Sequence, residues 1–207
     1  MRTKATRSVA NRGSGATGTV RIIGGVWRRR TLGVVDIPGL RPTPDRVRET
    51  LFNWLTHAFG GDLAGLTVLD LFAGTGALGF EAASRGAASV TLVENNQLAL
   101  EELRQARTLL GAVQIDIIHG DAAGLAATMQ RAGHHFDLVL LDPPFGHGWL
   151  DTALPLAAAL CKPLGLIYVE AEAPLPESLL EPLDLAFYRT DKAGEVFYHL
   201  LRRNIKK

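Results

Sequence analysis

Residues 67–79 read T-V-L-D-L-F-A-G-T-G-A-L-G. The run T-V-L-D-L-F is apolar apart from its first residue and Asp70, and it shows no polar–apolar alternation. That is the pattern of a strand covered on both faces, as in a parallel sheet. Gly74 and Gly76 then supply a tight turn, and G-A-L-G-F-E-A-A-S-R-G reads as a helix that stops at Gly86. Strand, glycine turn and helix in this order make the first half of a strand–helix–strand unit.

The unit repeats downstream. A-S-V-T-L-V-E, V-Q-I-D-I-I-H-G and F-D-L-V-L-L-D read as strands. The helices between them are N-Q-L-A-L-E-E-L-R-Q-A-R-T-L-L-G and D-A-A-G-L-A-A-T-M-Q-R-A-G. A helix near 149–161 and a strand near 165–170 follow, and residues 183–203 look like two strands around a Lys-Ala-Gly turn. The expected fold is α/β: a mainly parallel sheet with an antiparallel C-terminal hairpin and helices on both faces. Upstream, V-R-I-I, a Gly24-Gly25 pair and V-W-R-R-R-T-L-G-V-V suggest a small N-terminal β-hairpin. Thr43 is expected to N-cap the next helix, with Pro44 at its first position. Three segments are therefore expected: a disordered basic tail over 1–18, a hairpin extension over 19–42, and the main domain over 43–207.

The 207 residues allow one good core, and no apolar run reaches the ~20 residues of a membrane helix. No apolar signal region is visible at the N-terminus. The one cysteine, Cys161, excludes an internal disulfide and fits a reducing cytoplasm; its apolar surroundings suggest a buried, inert thiol. Net charge is only +1, but residues 1–50 hold 11 Lys/Arg against 3 Asp/Glu. A basic arm on an acidic body suggests a polyanionic partner.

Ligands of open α/β sheets bind beyond the carboxyl ends of the strands. Those ends carry Asp70, Glu94, Asp121 and Asp142. Two ligands fit the glycine loop. Gly74, Gly76 and Gly79 match G-x-G-x-x-G, and Glu94 stands 20 residues beyond Gly74, as a nicotinamide dinucleotide site requires. Against that, Asp70 would meet a pyrophosphate badly and an ammonium or sulfonium well. The four acids suit S-adenosylmethionine, which has no phosphate.

D-x-F-A-G-T-G-x-L-G, V-E-x-N, G-D-A and L-D-P-P-F together resemble the class I S-adenosylmethionine-dependent methyltransferases, with their Rossmann-like sheet. R-I-I-G-G-x-W-R-R-R-x-L and L-R-P-T-P-D-R-V-R-E-T-L-F-N-W-L, over residues 21–55, are similar to the RsmD type, bacterial 16S rRNA guanine-N2 methyltransferases. The resemblance implies methyl transfer to a guanine N2, at position 966 of 16S rRNA. It implies that Asp70, Phe72, Gly74 and Gly76 hold the methionine end of the cofactor. Glu94 would meet its ribose and Asp121 and Ala122 its adenine, with Asn95 also at the cofactor. Asp142, Pro143 and Phe145 would hold the acceptor amine and base. Arg21, Arg28, Arg29, Arg30, Arg41 and Arg46 would meet RNA phosphates. Arg46, Arg48 and Glu49 are also candidates to border the cofactor pocket.

Rival readings remain at this point. D-P-P-F-like turns also serve DNA adenine and protein glutamine, the glycine loop alone admits NAD, and the basic arm alone admits a non-catalytic RNA-binding module. Trp27 is expected to pack against the main domain. His57, His119 and His199 are expected to be structural or surface residues, His134 and His135 to lie in a loop, and His147 to line the base pocket without a catalytic role; Glu170 and Glu172 are expected to touch substrate or face water. The partner expected is 16S rRNA or an assembling small subunit, met in the cytoplasm by a monomer without metal.

Overall fold

The computed structural model describes residues 16–37, 42–146 and 148–204. Residues 1–15, Arg41, His147 and the terminal Lys206 and Lys207 lie outside the described residues. The chain runs β1 (Ala16–Arg21), β2 (Thr31–Val35), α1 (Asp45–Ala58), β3 (Thr67–Asp70), α2 (Ala77–Ser84), β4 (Ser89–Glu94) and α3 (Gln97–Leu110). It continues with β5 (Ile115–His119), α4 (Ala122–Arg131), β6 (Phe136–Leu141), α5 (Trp149–Leu160) and β7 (Cys161–Ala171). Helix α6 (Glu177–Leu180), β8 (Leu185–Ala193) and β9 (Val196–Arg203) complete it.

Seven strands form one sheet in the order β5-β4-β3-β6-β7-β9-β8. The first five are parallel, and β9 runs antiparallel to both β7 and β8. Register divides the apolar residues between two cores. Leu69, Val139, Ile167 and Leu201 line up across β3, β6, β7 and β9 and pack under α4, α5 and α6. One residue earlier or later, Val68, Leu138, Leu140, Tyr168 and Leu200 point the other way, under α1, α2 and α3. Consecutive side chains must leave opposite faces of a strand, so a two-sided sheet needs strands apolar at nearly every position. Each fully buried Leu or Val contributes about 1.5–3 kcal/mol.

Two boundaries differ from the sequence expectation. Strand β1 begins at Ala16, three residues inside the expected tail, because its partner β2 extends to Val35 and pairs with it there. Strand β7 begins at Cys161, directly after α5; a bulge between the Phe136 and Leu138 pairings absorbs its first residues. Cys161 is buried, which pushes its thiol up to about 12.

The β1–β2 hairpin (residues 16–35) is held on α2 by its own backbone. The N–H groups of Ile23 and Gly24 donate to the two carboxylate oxygens of Glu81 at 2.7 and 2.8 Å. Trp27 N–H donates to Ser84 Oγ at 2.9 Å, and its ring lies 6.4 Å from that of Phe80. Gly25 has φ +74°, and a Cβ there would fall 1.8 Å from the Ser84 carbonyl oxygen. Only glycine meets both demands.

Glu81 and Arg48 are both fully buried, 3.7 Å apart. Arg85 adds a second cation to Glu81 at 2.7 Å, and Asp45 adds an anion to Arg48 at 2.5 Å. Removing one member of such a set strands a buried charge, at a cost of about 3–5 kcal/mol. Glu81→Ala is therefore expected to lose about that much unfolding free energy in urea titration. Arg21→Ala, which breaks only an exposed pair with Asp45, is expected to lose less than ~1 kcal/mol.

Candidate active site

The carboxyl ends of β3 to β7 open into a cleft of about 1110 Å³, closed on one side by the segment before α1 and on another by the β8–β9 turn. Asp70, Phe72, Gly74, Glu94, Asn95, Asp121, Ala122, Asp142, Pro143 and Phe145 all line it. Strands that lie side by side in parallel must end side by side, so residues scattered over 76 positions of sequence meet at one edge.

Glu94 orders the glycine loop. Its Oε2 accepts the Gly74 N–H at 2.7 Å, while Oε1 accepts the N–H groups of Asn95 and Asn96 at 3.0 and 2.7 Å. Gly76 sits at the N-cap of α2 with φ +77°, and a Cβ there would lie 2.6 Å from the Leu103 side chain. At the next strand end Asp121 caps α4, accepting the Gly124 N–H at 2.7 Å. Ala122 follows as the first helical residue, at the positive end of α4.

Asp70 is 1% exposed, and no hydrogen bond of good geometry reaches its carboxylate oxygens; the Phe72 and Gly79 N–H groups approach it only loosely. Burial raises its carboxyl to about 7; the Phe72 and Gly79 N–H groups oppose the rise, and the negative charges of Glu94 and Glu170 add to it. A buried, unpartnered carboxylate at the wall of a cleft is a receptor for a cation.

Asp142 stands one residue beyond β6. Its Oδ2 accepts the Thr43 hydroxyl at 3.1 Å, which explains why Thr43 does not cap α1 and Pro44 occupies the N-cap. Burial, then the charge of Glu170, pushes the Asp142 carboxyl well above the usual range; the Thr43 donor pulls the other way. Pro143 is buried, whereas the Phe145 ring is 43% exposed at the mouth. Glu172 accepts the Gly146 N–H at 3.2 Å and ties the turn to the end of β7.

Glu170 is neither solvated nor free: it is buried and accepts the Tyr168 hydroxyl at 2.9 Å, and burial raises its carboxyl too. Its position was visible in the sequence, at the end of a strand on the binding edge. What marked it less was the polar segment just beyond, which suits an exposed strand end. Sequence reasoning missed the site roles of Thr43 and Trp149, the latter meeting the Phe72 ring edge-on at 5.8 Å, and left Glu170 between substrate and solvent.

Arg46, Arg48 and Glu49 do not border the cleft. Arg48 is spent in the buried pair with Glu81, and Arg46 and Glu49 are exposed on α1. Arg21, Arg28, Arg29 and Arg30 are exposed on the hairpin, and the first three line a separate pocket of about 300 Å³. His199 is buried within β9, with its Nδ1 2.8 Å from the Thr190 hydroxyl. Among the described residues no group of three or more His, Cys, Asp or Glu side chains is placed to hold a metal ion, and no helix is long and apolar enough to cross a membrane.

Residues 20–202 match the family described as Conserved hypothetical protein 95. The chain is 40% identical over 189 residues to Ribosomal RNA small subunit methyltransferase D of Escherichia coli strain K12, covering 90% of this chain and 91% of that one. It is 43% identical over 162 residues to the protein of the same name in Haemophilus influenzae, covering 75% and 80%. The solved structure of yhhF from Escherichia coli superimposes with a TM-score of 0.76 at 38% identity, over 91% of this chain and all of that one. The fold is that of the class I methyltransferases.

Asp70 makes stability depend on pH in a definite direction. Its folded value of about 7 lies above its ordinary 3.8, so the folded state holds the proton more tightly than the unfolded one. The resulting stability is complete below pH 3.8 and is lost as pH rises to about 7; the raised values of Asp142 and Glu170 act in the same sense. Asp70→Asn is therefore expected to melt higher than the parent at pH 8 and within a few degrees of it at pH 5. Equal differences at both pH values would contradict this.

Proposed function

Because the chain belongs to the family described as Conserved hypothetical protein 95, that of the RsmD-type ribosomal RNA methyltransferases, we propose that it transfers a methyl group from S-adenosylmethionine to the exocyclic N2 of guanine 966 in bacterial 16S rRNA. The observation that carries this reading is the Asp142-Pro143-Pro144-Phe145 turn, set on the same cleft as the unpartnered Asp70 carboxylate.

When bound, the cofactor supplies an electrophilic methyl group on a sulfonium. The residues of the cleft fit it. Asp70 offers its buried charge to the ammonium of the methionine end, a partner that a pyrophosphate could not replace; this favours S-adenosylmethionine over NAD. The glycine loop around Gly74 and Gly76, with Phe72, surrounds that end. Glu94 and Asn95 face the ribose hydroxyls, and Asp121 with the Ala122 N–H faces the adenine.

The N2 lone pair of guanine is delocalised into the ring, so the amine is a weak nucleophile. Asp142 and the Pro143 carbonyl accept its two N–H bonds and hold the nitrogen pyramidal. Two prolines fix φ near −65° and limit drift where errors near 1 Å cost about 100-fold in rate. The half-open Phe145 ring stacks on the base, which must leave its own stack to enter. After alkylation the nitrogen is acidic, and Asp142 takes its proton and returns it to water.

Arg21, Arg28, Arg29 and Arg30 on the hairpin, with Arg41 and Arg46, neutralise phosphates and set affinity more than sequence choice. On this reading segment 19–42 grips RNA and segment 43–207 carries the transfer. The protein acts in the cytoplasm as a monomer, without metal, on 16S rRNA or an assembling small subunit.

Labelled methyl from S-adenosylmethionine is expected to enter 16S rRNA in small-subunit particles from a strain lacking this activity, at one guanine. Asp142→Ala is expected to lower kcat by about 100-fold or more. Phe145→Ala should cost about 1–3 kcal/mol in kcat/KM. Label in DNA or peptide acceptors instead of rRNA, or full turnover by the Asp142 variant, would overturn the reading.

A further inference from the structure

Thr43 is 5% exposed and lies 99 residues from the carboxylate it touches. It has the residue type and the sequence setting of a helix cap, yet its hydroxyl donates to Asp142 Oδ2 at 3.1 Å and caps nothing. Its main chain is fixed as firmly as its side chain. The Thr43 carbonyl accepts Arg48 Nε at 3.1 Å, and Arg48 is itself held by Asp45 and Glu81. A buried donor with an immobilised backbone can aim a carboxylate; a mobile surface threonine could not.

We propose that Thr43 is a positioning residue for the transfer: its hydroxyl holds Oδ2 of Asp142 and leaves Oδ1 to receive the acceptor amine. The proposal rests on the methyltransferase reading above and assigns the residue that keeps its carboxylate in place.

The surroundings of Asp142 show why such a donor is needed. Leu141 pairs with Val169, so Asp142 and Glu170 follow at the ends of neighbouring parallel strands. Glu170 from β7 and Asp70 from β3 both press a negative charge on Asp142, and Thr43 supplies the opposing hydrogen bond. Two close carboxylates shielded from much of the solvent tend to share a proton rather than both ionise. A protonated Asp142 loses an acceptor for the amine and cannot take its proton. Tyr168 donates to Glu170 and Thr43 to Asp142, and the Thr43 hydroxyl also lies close enough to Glu170 to lower its carboxyl. Without Thr43 the Asp142 carboxyl loses this donor and holds its proton more tightly.

Thr43→Val keeps the shape and removes the donor; Thr43→Ser keeps the donor. The full-length variants should be assayed for S-adenosylmethionine affinity by calorimetry and for kcat and KM on small-subunit particles across pH. Thr43→Val is expected to bind the cofactor within about threefold of the parent and to lose roughly 10- to 100-fold in kcat, the scale of a misplaced reactive group. The acidic limb of its kcat profile should move to higher pH. Thr43→Ser should recover most of the loss. Carbon-13 titration of the Asp142 carboxyl gives a readout independent of turnover, and its pKa should rise in Thr43→Val. Parent-like kcat and titration in Thr43→Val, or a Thr43→Ser variant as impaired as Thr43→Val, would overturn the proposal. A parent protein that neither binds the cofactor nor methylates particles would instead overturn the methyltransferase reading, and the carboxyl titration would still test the hydroxyl.

Discussion

The pair formed by Arg48 and Glu81 lies wholly out of water, and most of the architecture around the cleft leans on it. A buried charge survives only when hydrogen bonds replace its lost hydration. Glu81 obtains them from the hairpin backbone and from Arg85. Arg48 obtains them from Asp45 and from the carbonyl of Thr43. The hairpin, the first turn of α1 and the middle of α2 thus satisfy one shared electrostatic need. None of the three can shift without leaving a charge exposed to apolar surroundings.

The sheet imposes a second constraint, of opposite sign. Its strands are apolar on both faces, yet at or next to the ends of β3, β6 and β7 stand Asp70 and Glu170, both buried, and the half-buried Asp142. Asp70 has no hydrogen bond of good geometry, and the Thr43 and Tyr168 hydroxyls serve Asp142 and Glu170. The same burial that stabilises Leu69 or Val139 strains the carboxylates a few residues on. Such local costs are expected where function, rather than folding, chose the residue.

Most of this was legible in the sequence because it is periodic or local. Apolar runs between glycine turns marked the strands, and the rule that ligands meet strand ends picked out Asp70, Glu94, Asp121 and Asp142. The final antiparallel hairpin was readable from the Lys-Ala-Gly turn, but not which of its strands lies beside β7. Long-range side-chain choices were not readable either. Thr43 followed by Pro44 and Asp45 reads as a helix cap by every local criterion, and only the folded chain brings Asp142 to compete for its hydroxyl. Arg48 was a candidate to border the cofactor pocket, since its partner Glu81 lies in another helix, 33 positions away, and leaves no local sign. Charge partners selected by tertiary contact leave no spacing to recognise.

The order of the sheet also sets a timetable. Strand β9 sits between β7 and β8, although it is made after both. Until it emerges from the ribosome, β7 is an open edge with unpaired backbone groups, and Leu200 and Leu201 are missing from both cores at once. The cleft wall that contains Val196 and Phe197 is missing too. A nascent chain can therefore complete its glycine loop and its Asp142 turn early, yet it becomes a finished protein only when the last strand slides into its slot.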